Sequence, residues 1–279
     1  MTLRRSPAEL FSLEGDVAIV TGGTGRLGAE YGAALSSAGA AVALFDIAPP
    51  GPAATALVDS GAAVSIHRVD VSDRAAVDRA IADVMSHAGV PTILVNNAGL
   101  GSSPADAALE TTRFERYPES AWEAMLESHL TSALVASQSF LSAFRASPRT
   151  AGSIINISST YGLVAPDQSM YGANRRDGRE WFKPVGYSVA KSGMLNFTRW
   201  LAEYCGHEQI PVRVNTLVPG GVREPEHSAE FVAEYAKRTP LGRMADVDDY
   251  NGAIVFLASR ASAYMTGATL VVDGGWTAR

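Results

Sequence analysis

Short β-branched apolar runs alternate with helix-period segments along almost the whole chain, and that alternation leaves few folds open. Asp16-Val-Ala-Ile-Val-Thr21 reads as a strand, and residues 28–38 follow with helical spacing that stops at Gly39. A second strand is expected at Ala41–Asp46 and a third at Val64–Val71. Ser72-Asp73 supplies the N-cap and first turn of a helix over Ala75–Ala88, ended by Gly89. Thr92–Asn96 is strand four, and Ser120-Ala-Trp-Glu123 reads as a capping box opening a long helix to about Ala146. Ser153–Ser159 is strand five and a helix begins near Tyr187. Val212–Val218 is strand six, Asp246–Ser259 a helix and Thr269–Asp273 strand seven. The strand runs are apolar on both faces, so helices must cover both sides of a parallel sheet. The chain is therefore expected to be one α/β domain over 1–279, a doubly wound, seven-stranded parallel sheet in three α/β/α layers. Two stretches break the rhythm, Gly99–Pro118 and Gly162–Gly186. Each follows the C-terminal end of a strand, where open α/β sheets bind ligands.

The first strand-to-helix turn, Thr21-Gly-Gly-Thr-Gly-Arg-Leu-Gly28, places Gly23, Gly25 and Gly28 in a G-x-G-x-x-G spacing. Glycine there lets the backbone turn tightly and approach a pyrophosphate, whose charge then sits at a helix N-terminus. By itself such a turn is equally an ordinary connection, and Asp46 is what gives it meaning. It ends the second strand 18 positions after Gly28, near the ~20-residue offset at which a carboxylate accepts hydrogen bonds from the adenosine ribose. The combination points to a Rossmann fold that binds NAD, because a carboxylate there repels the 2′-phosphate of NADP. Arg26, beside the turn, is the residue that would instead favour a 2′-phosphate.

Tyr187-Ser-Val-Ala-Lys191 starts a helix, so phenol and ammonium share one face at i and i+4. A tyrosine that moves protons near neutrality needs its pKa lowered from about 10 by roughly 3 units, and a nearby ammonium has the right sign. Ser158 and Ser159 close strand five at the same sheet edge, where a hydroxyl can polarise a substrate carbonyl.

Assembled, these residues resemble the short-chain dehydrogenase/reductase family over about residues 14–276. Its landmarks occur in order: the glycine turn at 21–28, Asp70-Val71, Asn96-Asn-Ala-Gly99, Ser159, Tyr187-x-x-x-Lys191, Pro219-Gly220 and Val272-Asp-Gly-Gly275. The resemblance implies an NAD(P)-dependent oxidoreductase that interconverts a secondary alcohol and a ketone, on a sugar, sugar acid or other polyol-like small molecule. By the same resemblance Tyr187 exchanges the proton and Ser159 steadies the reacting oxygen. Lys191 holds the nicotinamide ribose and depresses the tyrosine pKa. The implied cofactor contacts are Gly22, Thr24, Gly25, Arg26 and Leu27 at the turn, then Asp46 and Ile47 after strand two. Asp70 and Val71 would touch adenine, Asn97, Ala98 and Gly99 the middle of the cofactor, and Pro219, Gly220 and Val222 the nicotinamide side. Members commonly form homodimers or homotetramers through long central helices, here Leu134–Phe144 and Met194–Trp200.

The chain departs from the family pattern in three places. The commoner turn, Thr-Gly-x-x-x-Gly-x-Gly, has glycine where Arg26 stands, whereas Thr-Gly-x-x-Gly-x-x-Gly fits throughout. That second form is typical of extended relatives such as sugar-nucleotide epimerases, whose larger substrate lobe the short region after Val222 lacks. The helix that usually supplies an asparagine, aligned on Trp122 and Leu130, has His129 instead. A histidine there either anchors a proton-relay water and titrates near pH 6.5, as its unperturbed value of about 6.5 allows, or packs in the core or an interface. Finally, Ser159 and Tyr187 stand 28 positions apart, more than is usual, with the excess between about Asp167 and Pro184. Within it Tyr171-Gly-Ala-Asn-Arg175 mimics the catalytic pair but carries arginine for lysine. Arg175, Arg176, Arg179 and Lys183, with Trp181 and Phe182, form either a wall that recognises a carboxylate or phosphate, or a solvated stretch or subunit contact, within an insert at about 162–186. Other functions left open are a biosynthetic ketoreductase on acyl, steroid or natural-product substrates and an NAD-retaining sugar-nucleotide epimerase. The complete set of Ser159, Tyr187 and Lys191 disfavours a non-catalytic cofactor binder.

Composition narrows the partners. A net charge of −6 and a pI near 5.4 speak against a nucleic-acid-binding face. No apolar run approaches the ~18 residues that span a bilayer, and the arginines of MTLRRSPAELFSLEGD are followed by no apolar leader. The single Cys205 allows neither an internal disulfide nor zinc-type cysteine pairs. The expectation is a cytoplasmic enzyme with a small-molecule substrate, no metal, and neither nucleic-acid nor membrane partners.

Overall fold

The computed structural model describes residues 5–101, 112–174 and 181–278. All seven β-branched runs form strands: β1 (Val17–Thr21), β2 (Ala41–Asp46), β3 (Val64–Arg68), β4 (Ile93–Asn96), β5 (Gly152–Ile157), β6 (Val212–Pro219) and β7 (Thr269–Val272). They make one sheet in the order β3-β2-β1-β4-β5-β6-β7, every neighbouring pair parallel. The chain steps outward from β1 to β3 and then restarts at β4 on the other side. The loops after β1 and β4 therefore part, and a crevice opens at the C-terminal ends of the strands.

Alternate residues of each strand feed opposite cores. Ile19, Leu94, Ile154 and Val214 pack with Phe140, Phe144, Leu201 and Cys205 of helices Ser132–Arg145 and Val185–His207. Val20, Leu44, Val95 and Leu217 point the other way, onto Tyr31, Leu35, Ile254 and Leu257 of helices Arg26–Ser37 and Asn251–Ala258. Phe140 is fully buried, so its truncation to alanine should cost about 3–5 kcal/mol. One polar ladder crosses these apolar layers. Asn96 Nδ2 donates to Asn156 Oδ1 (2.8 Å) and Ser137 Oγ (3.0 Å), Asn156 Nδ2 donates to Thr198 Oγ1 (2.8 Å), and Thr198 and Thr216 hydroxyls meet at 2.7 Å. Buried hydrogen bonds of this kind fix register, and here they tie β4, β5 and β6 to the helix that carries Tyr187 and Lys191.

Several boundaries differ from the sequence expectation for local reasons. β3 stops at Arg68, not Val71, because Asp70 Oδ1 accepts from Ser72 N (2.9 Å) and Ser72 Oγ (2.7 Å) and turns the chain. β5 stops at Ile157, and Ser159 instead caps the short helix Thr160–Leu163 by accepting from Tyr161 N at 3.2 Å. The expected capping box at Ser120–Glu123 does not form. Pro118, with φ −66°, is the N-cap without a side-chain bond, so the helix Glu119–Leu126 has already begun at Ser120. The long helix is then interrupted by a π-helical turn, Glu127–Thr131, before Ser132–Arg145 resumes it. Helices Pro52–Asp59 and Ala229–Arg238 lie where no element was expected.

Candidate active site

The cofactor end is made almost wholly of backbone. Gly22 has φ +61°, and a Cβ on it would sit 2.9 Å from Ala98 Cα. A Cβ on Gly28 would come within 2.0 Å of Gly22 O, so the turn closes on itself with no room for a side chain. Asn97 Nδ2 donates to Thr21 O and Gly22 O, both at 3.1 Å, and Thr21 Oγ1 accepts from Asn97 N and Ala98 N at 3.0 Å. Helix Arg26–Ser37 starts at Gly25 with no side-chain cap, leaving its first-turn N–H groups and positive dipole end at the cleft. Such a cradle fits a pyrophosphate. Asp46 is pinned beside it, Oδ2 accepting from Thr24 N at 3.0 Å and Oδ1 from Ala48 N at 2.9 Å. Arg26 reaches the loop after β6: its Nη1 donates to Arg223 O (3.2 Å), and its guanidinium stands 3.9 Å from Glu224 and 3.7 Å from Glu226.

From this turn a cleft of about 1400 Å³ runs along the sheet edge, larger than the roughly 300–1,000 Å³ usual for a single small ligand. Gly22, Gly25, Arg26, Leu27, Asp46, Ile47, Asp70, Val71, Asn97, Ala98, Gly99, Pro219, Gly220 and Val222 all line it, as do Ser159, Tyr187, Lys191 and His129. Thr24 is not among these lining residues; its N–H donates to Asp46 Oδ2.

Tyr187 and Lys191 lie in the first two turns of helix Val185–His207. Lys191 is buried, donates to Ile157 O at 2.9 Å, and stands 5.8 Å from the Tyr187 ring centroid. Burial, aided by the charge of Lys183, pushes the Lys191 ammonium down to about 7. Burial raises the Tyr187 pKa, and a hydrogen bond from Ser159 offsets part of that rise. The expected acidification of Tyr187 by Lys191 is thus reversed in the protein alone: the same desolvation disfavours phenolate and ammonium together. Ser158 is no rival to Ser159, since its hydroxyl donates to Lys191 O at 2.7 Å and is used in holding the helix.

His129 sits in the π-helical turn, fully buried, with its ring edge-on to Tyr187 at 5.6 Å. Leu100 O, 3.1 Å from Nε2, can only accept, so Nε2 carries the proton and Nδ1 is left without a partner in the structure. That Nδ1 edge lies against Gly99, where a Cβ would be 2.0 Å away. Burial, and then the Lys191 charge, push His129 down to about 2. It is neutral at physiological pH, so the expected titration near pH 6.5 does not occur at this site.

The decoy Tyr171 belongs to an aromatic cluster: it donates to Tyr161 Oη at 2.9 Å, and its ring lies tilted against Phe231 with centroids 5.9 Å apart. Arg175, Arg176 and Arg179 lie outside the described residues. Lys183 lies within them and enters the cleft, its Nζ 4.3 Å from the Tyr187 ring centroid.

The sequence matches the family described as "Enoyl-(Acyl carrier protein) reductase" over residues 25–277. It is 32% identical to galactitol 2-dehydrogenase of Rhizobium johnstonii, with 96% of this chain and 97% of that one covered. The chain belongs to the short-chain dehydrogenase/reductase family. This dehydrogenase/reductase is also 33% identical to cis-4-hydroxycyclohexanecarboxylate dehydrogenase of Sinomonas cyclohexanicum, covering 94% and 96% of the two chains. Among solved structures, gluconate 5-dehydrogenase of Burkholderia cenocepacia, in complex with NADP and tartrate, superposes with a TM-score of 0.81 at 28% identity, covering 98% and 100%. The family and its members make this chain an NAD(P)-dependent oxidoreductase of secondary alcohols and ketones.

One wall of this dehydrogenase/reductase was absent from the sequence expectation. His227, Phe231, Tyr235 and Met244 line the cleft, and Phe231, Tyr235 and Met244 pack in one cluster with Tyr161 and Tyr171. The spacing of His227, Phe231 and Tyr235 hints at an aromatic ridge but not at where it folds: His227 just precedes helix Ala229–Arg238, which carries the other two, and the rings follow each other at 4.8 and 6.3 Å. Tyr235 is also tied to the site's frame, its hydroxyl oxygen accepting from Gly221 N at 2.6 Å. Among the described residues no helix is long and apolar enough to cross a membrane.

Proposed function

We propose that the chain is an NAD-dependent dehydrogenase that oxidises a carbinol of a sugar, sugar acid or polyol-like small molecule to a ketone, reversibly. The observation that carries this reading is the meeting of Ser159, Tyr187 and Lys191 at one end of a cleft whose other end is the glycine turn and Asp46. Bound nicotinamide would supply the hydride exchange. Tyr187 takes the hydroxyl proton in oxidation and returns it in reduction, while Ser159 holds the substrate oxygen beside the phenol. Lys191 spends one ammonium hydrogen on Ile157 O and has two more for ribose hydroxyls. His129 steadies the Gly99–Leu100 backbone and the face of Tyr187, without exchanging protons. Because burial favours the phenol form of Tyr187, oxidation draws on a minor phenolate and should climb with pH, whereas reduction should not.

Asp46 supports NAD over NADP, since two backbone N–H groups fix its carboxylate at the end of β2, where it repels a 2′-phosphate. Arg26 does not counter it, being turned toward Glu224 and Glu226. We read residues 162–186 as a substrate-side insert within one domain over 1–279. The exposed Leu134 and the stacked Trp200–Tyr204 pair are our candidate for a face shared with a second copy, which a Trp200→Glu variant run on light scattering would split. The reaction is tested by following NADH from NAD with gluconate, galactitol, cis-4-hydroxycyclohexanecarboxylate and simple secondary alcohols. Net NADH is expected. Its absence with every alcohol would favour a retained-cofactor epimerase, and a preference for NADP would remove the NAD assignment.

A further inference from the structure

We propose that Lys183 is the specificity-determining residue of the substrate end and selects molecules that carry a carboxylate near the reacting carbinol. This rests on the dehydrogenase reading above and names its substrate class. Two ammonium groups flank Tyr187, and they are not equivalent. Lys191 approaches the ring to 5.8 Å from its own helix and is anchored on Ile157 O, whereas Lys183 stands closer, 4.3 Å from the ring centroid.

Its backbone is held on both sides. Gln168 Oε1 accepts from Lys183 N at 2.8 Å and Gln168 Nε2 donates to Lys183 O at 3.3 Å. Pro184 follows at φ −59° as the N-cap of the helix that bears Tyr187. Gln168 and Pro184 therefore hold this cation's backbone at a fixed point next to the proton-transfer group. Trp181, two residues earlier, lines the same cleft, and its buried Nε1 has no hydrogen-bond partner in the structure. An indole N–H can only donate, so it calls for an acceptor oxygen of the kind a carboxylate supplies.

Charge points the same way. The positive field of Lys183 reaches Lys191, His129 and His227, all on the cleft wall, and disfavours a proton on each of them. An anion bound against Lys183 relieves that repulsion, whereas a neutral polyol of the same shape does not.

The test uses dead-end complexes of the NADH-saturated protein, which cannot turn over an alcohol. Calorimetric affinities are measured for cis-4-hydroxycyclohexanecarboxylate and gluconate, each against its own carboxamide, with wild type, Lys183→Met and Lys183→Arg. Wild type should favour the acid in at least one pair. Lys183→Met should weaken that acid roughly ten- to hundredfold, as expected for losing a hydrogen bond to a charged group, with its amide within about twofold and Lys183→Arg restoring most of the loss. Equal affinity for acid and amide in both pairs overturns the proposal, as does an equal loss for acid and amide in Lys183→Met, which would mark a packing role against Tyr187. Turnover separates the two readings. NADH formed from galactitol without any acid preference leaves the dehydrogenase and removes the carboxylate site, whereas Lys183-dependent acid binding with no NADH from any alcohol does the reverse.

Discussion

The two ends of the cleft are built from different material. At the cofactor end the contacts come from main chain: Gly22, Gly28 and Ala98 approach too closely for side chains, and Asp46 and Asn97 act by holding backbone groups. At the substrate end they come from side chains on several separate segments, among them the π-helical turn with His129, the stretch with Lys183 before helix Val185–His207, that helix itself with Tyr187, and helix Ala229–Arg238. A backbone site tolerates no change in local spacing and carries little information about which molecule it serves. A side-chain site is free to change identity while its frame persists.

The comparison is broken most sharply by Tyr187→Phe. Removing the proton carrier should lower kcat by about 10²–10⁴ while leaving NADH affinity within about twofold. Parallel losses in turnover and NADH affinity would mean that the two ends are one structural unit. The converse variant is Gly28→Ala, whose Cβ would meet Gly22 O at 2.0 Å. The turn must shift, so destabilisation of about 1–3 kcal/mol in urea unfolding and at least a tenfold loss of NADH affinity are expected. Wild-type NADH affinity in that variant would show that the turn does not bind the cofactor.

This difference in material is also why one end was legible in the sequence and the other was not. The Gly turn, Asp46 and Asn96-Asn-Ala-Gly99 sit at fixed offsets from strand ends, and strand ends are marked by β-branched runs. Tyr187 and Lys191 were equally legible, because a single helix holds them four residues apart. The site wall formed by His227, Phe231 and Tyr235 was not, since nothing in a linear reading says that a helix after β6 folds back over the cleft. Nor was the state of the titratable groups legible. Spacing predicts that an ammonium acidifies a phenol, but burial of both reverses the direction at Tyr187 and lowers Lys191 to about 7. The failed capping box at Ser120 is a smaller case, in which the preceding Pro118 started the helix first.

Asp46→Asn refines the cofactor end alone. It keeps an acceptor for Thr24 N while removing the charge, so the ratio of kcat/KM with NADP to that with NAD should rise about tenfold, equivalent to about 1.4 kcal/mol, with little change in substrate KM. An unchanged ratio would leave cofactor choice to residues other than this carboxylate.

An effect no larger than this lies at the joint between the two ends, where His129 packs between Gly99 and Tyr187. Its pKa is about 2 in the folded protein against about 6.5 in an unfolded chain, so between these values only the unfolded state binds the proton. Stability contributed by this group is therefore complete above pH 6.5 and is lost as pH falls, by about 1.4 kcal/mol between pH 7.5 and 5.5. His67 and His227, also lowered by burial, push in the same direction, as do carboxylates held low by hydrogen bonds, such as Asp70 and Asp167. The difference between proteins isolates the one residue. His129→Asn should lose about 1.4 kcal/mol less than wild type over that interval in urea unfolding, because asparagine has no proton to gain. If both proteins weaken equally on acidification, His129 is already able to take up a proton in the fold, and a water-relay role beside Tyr187 regains its footing.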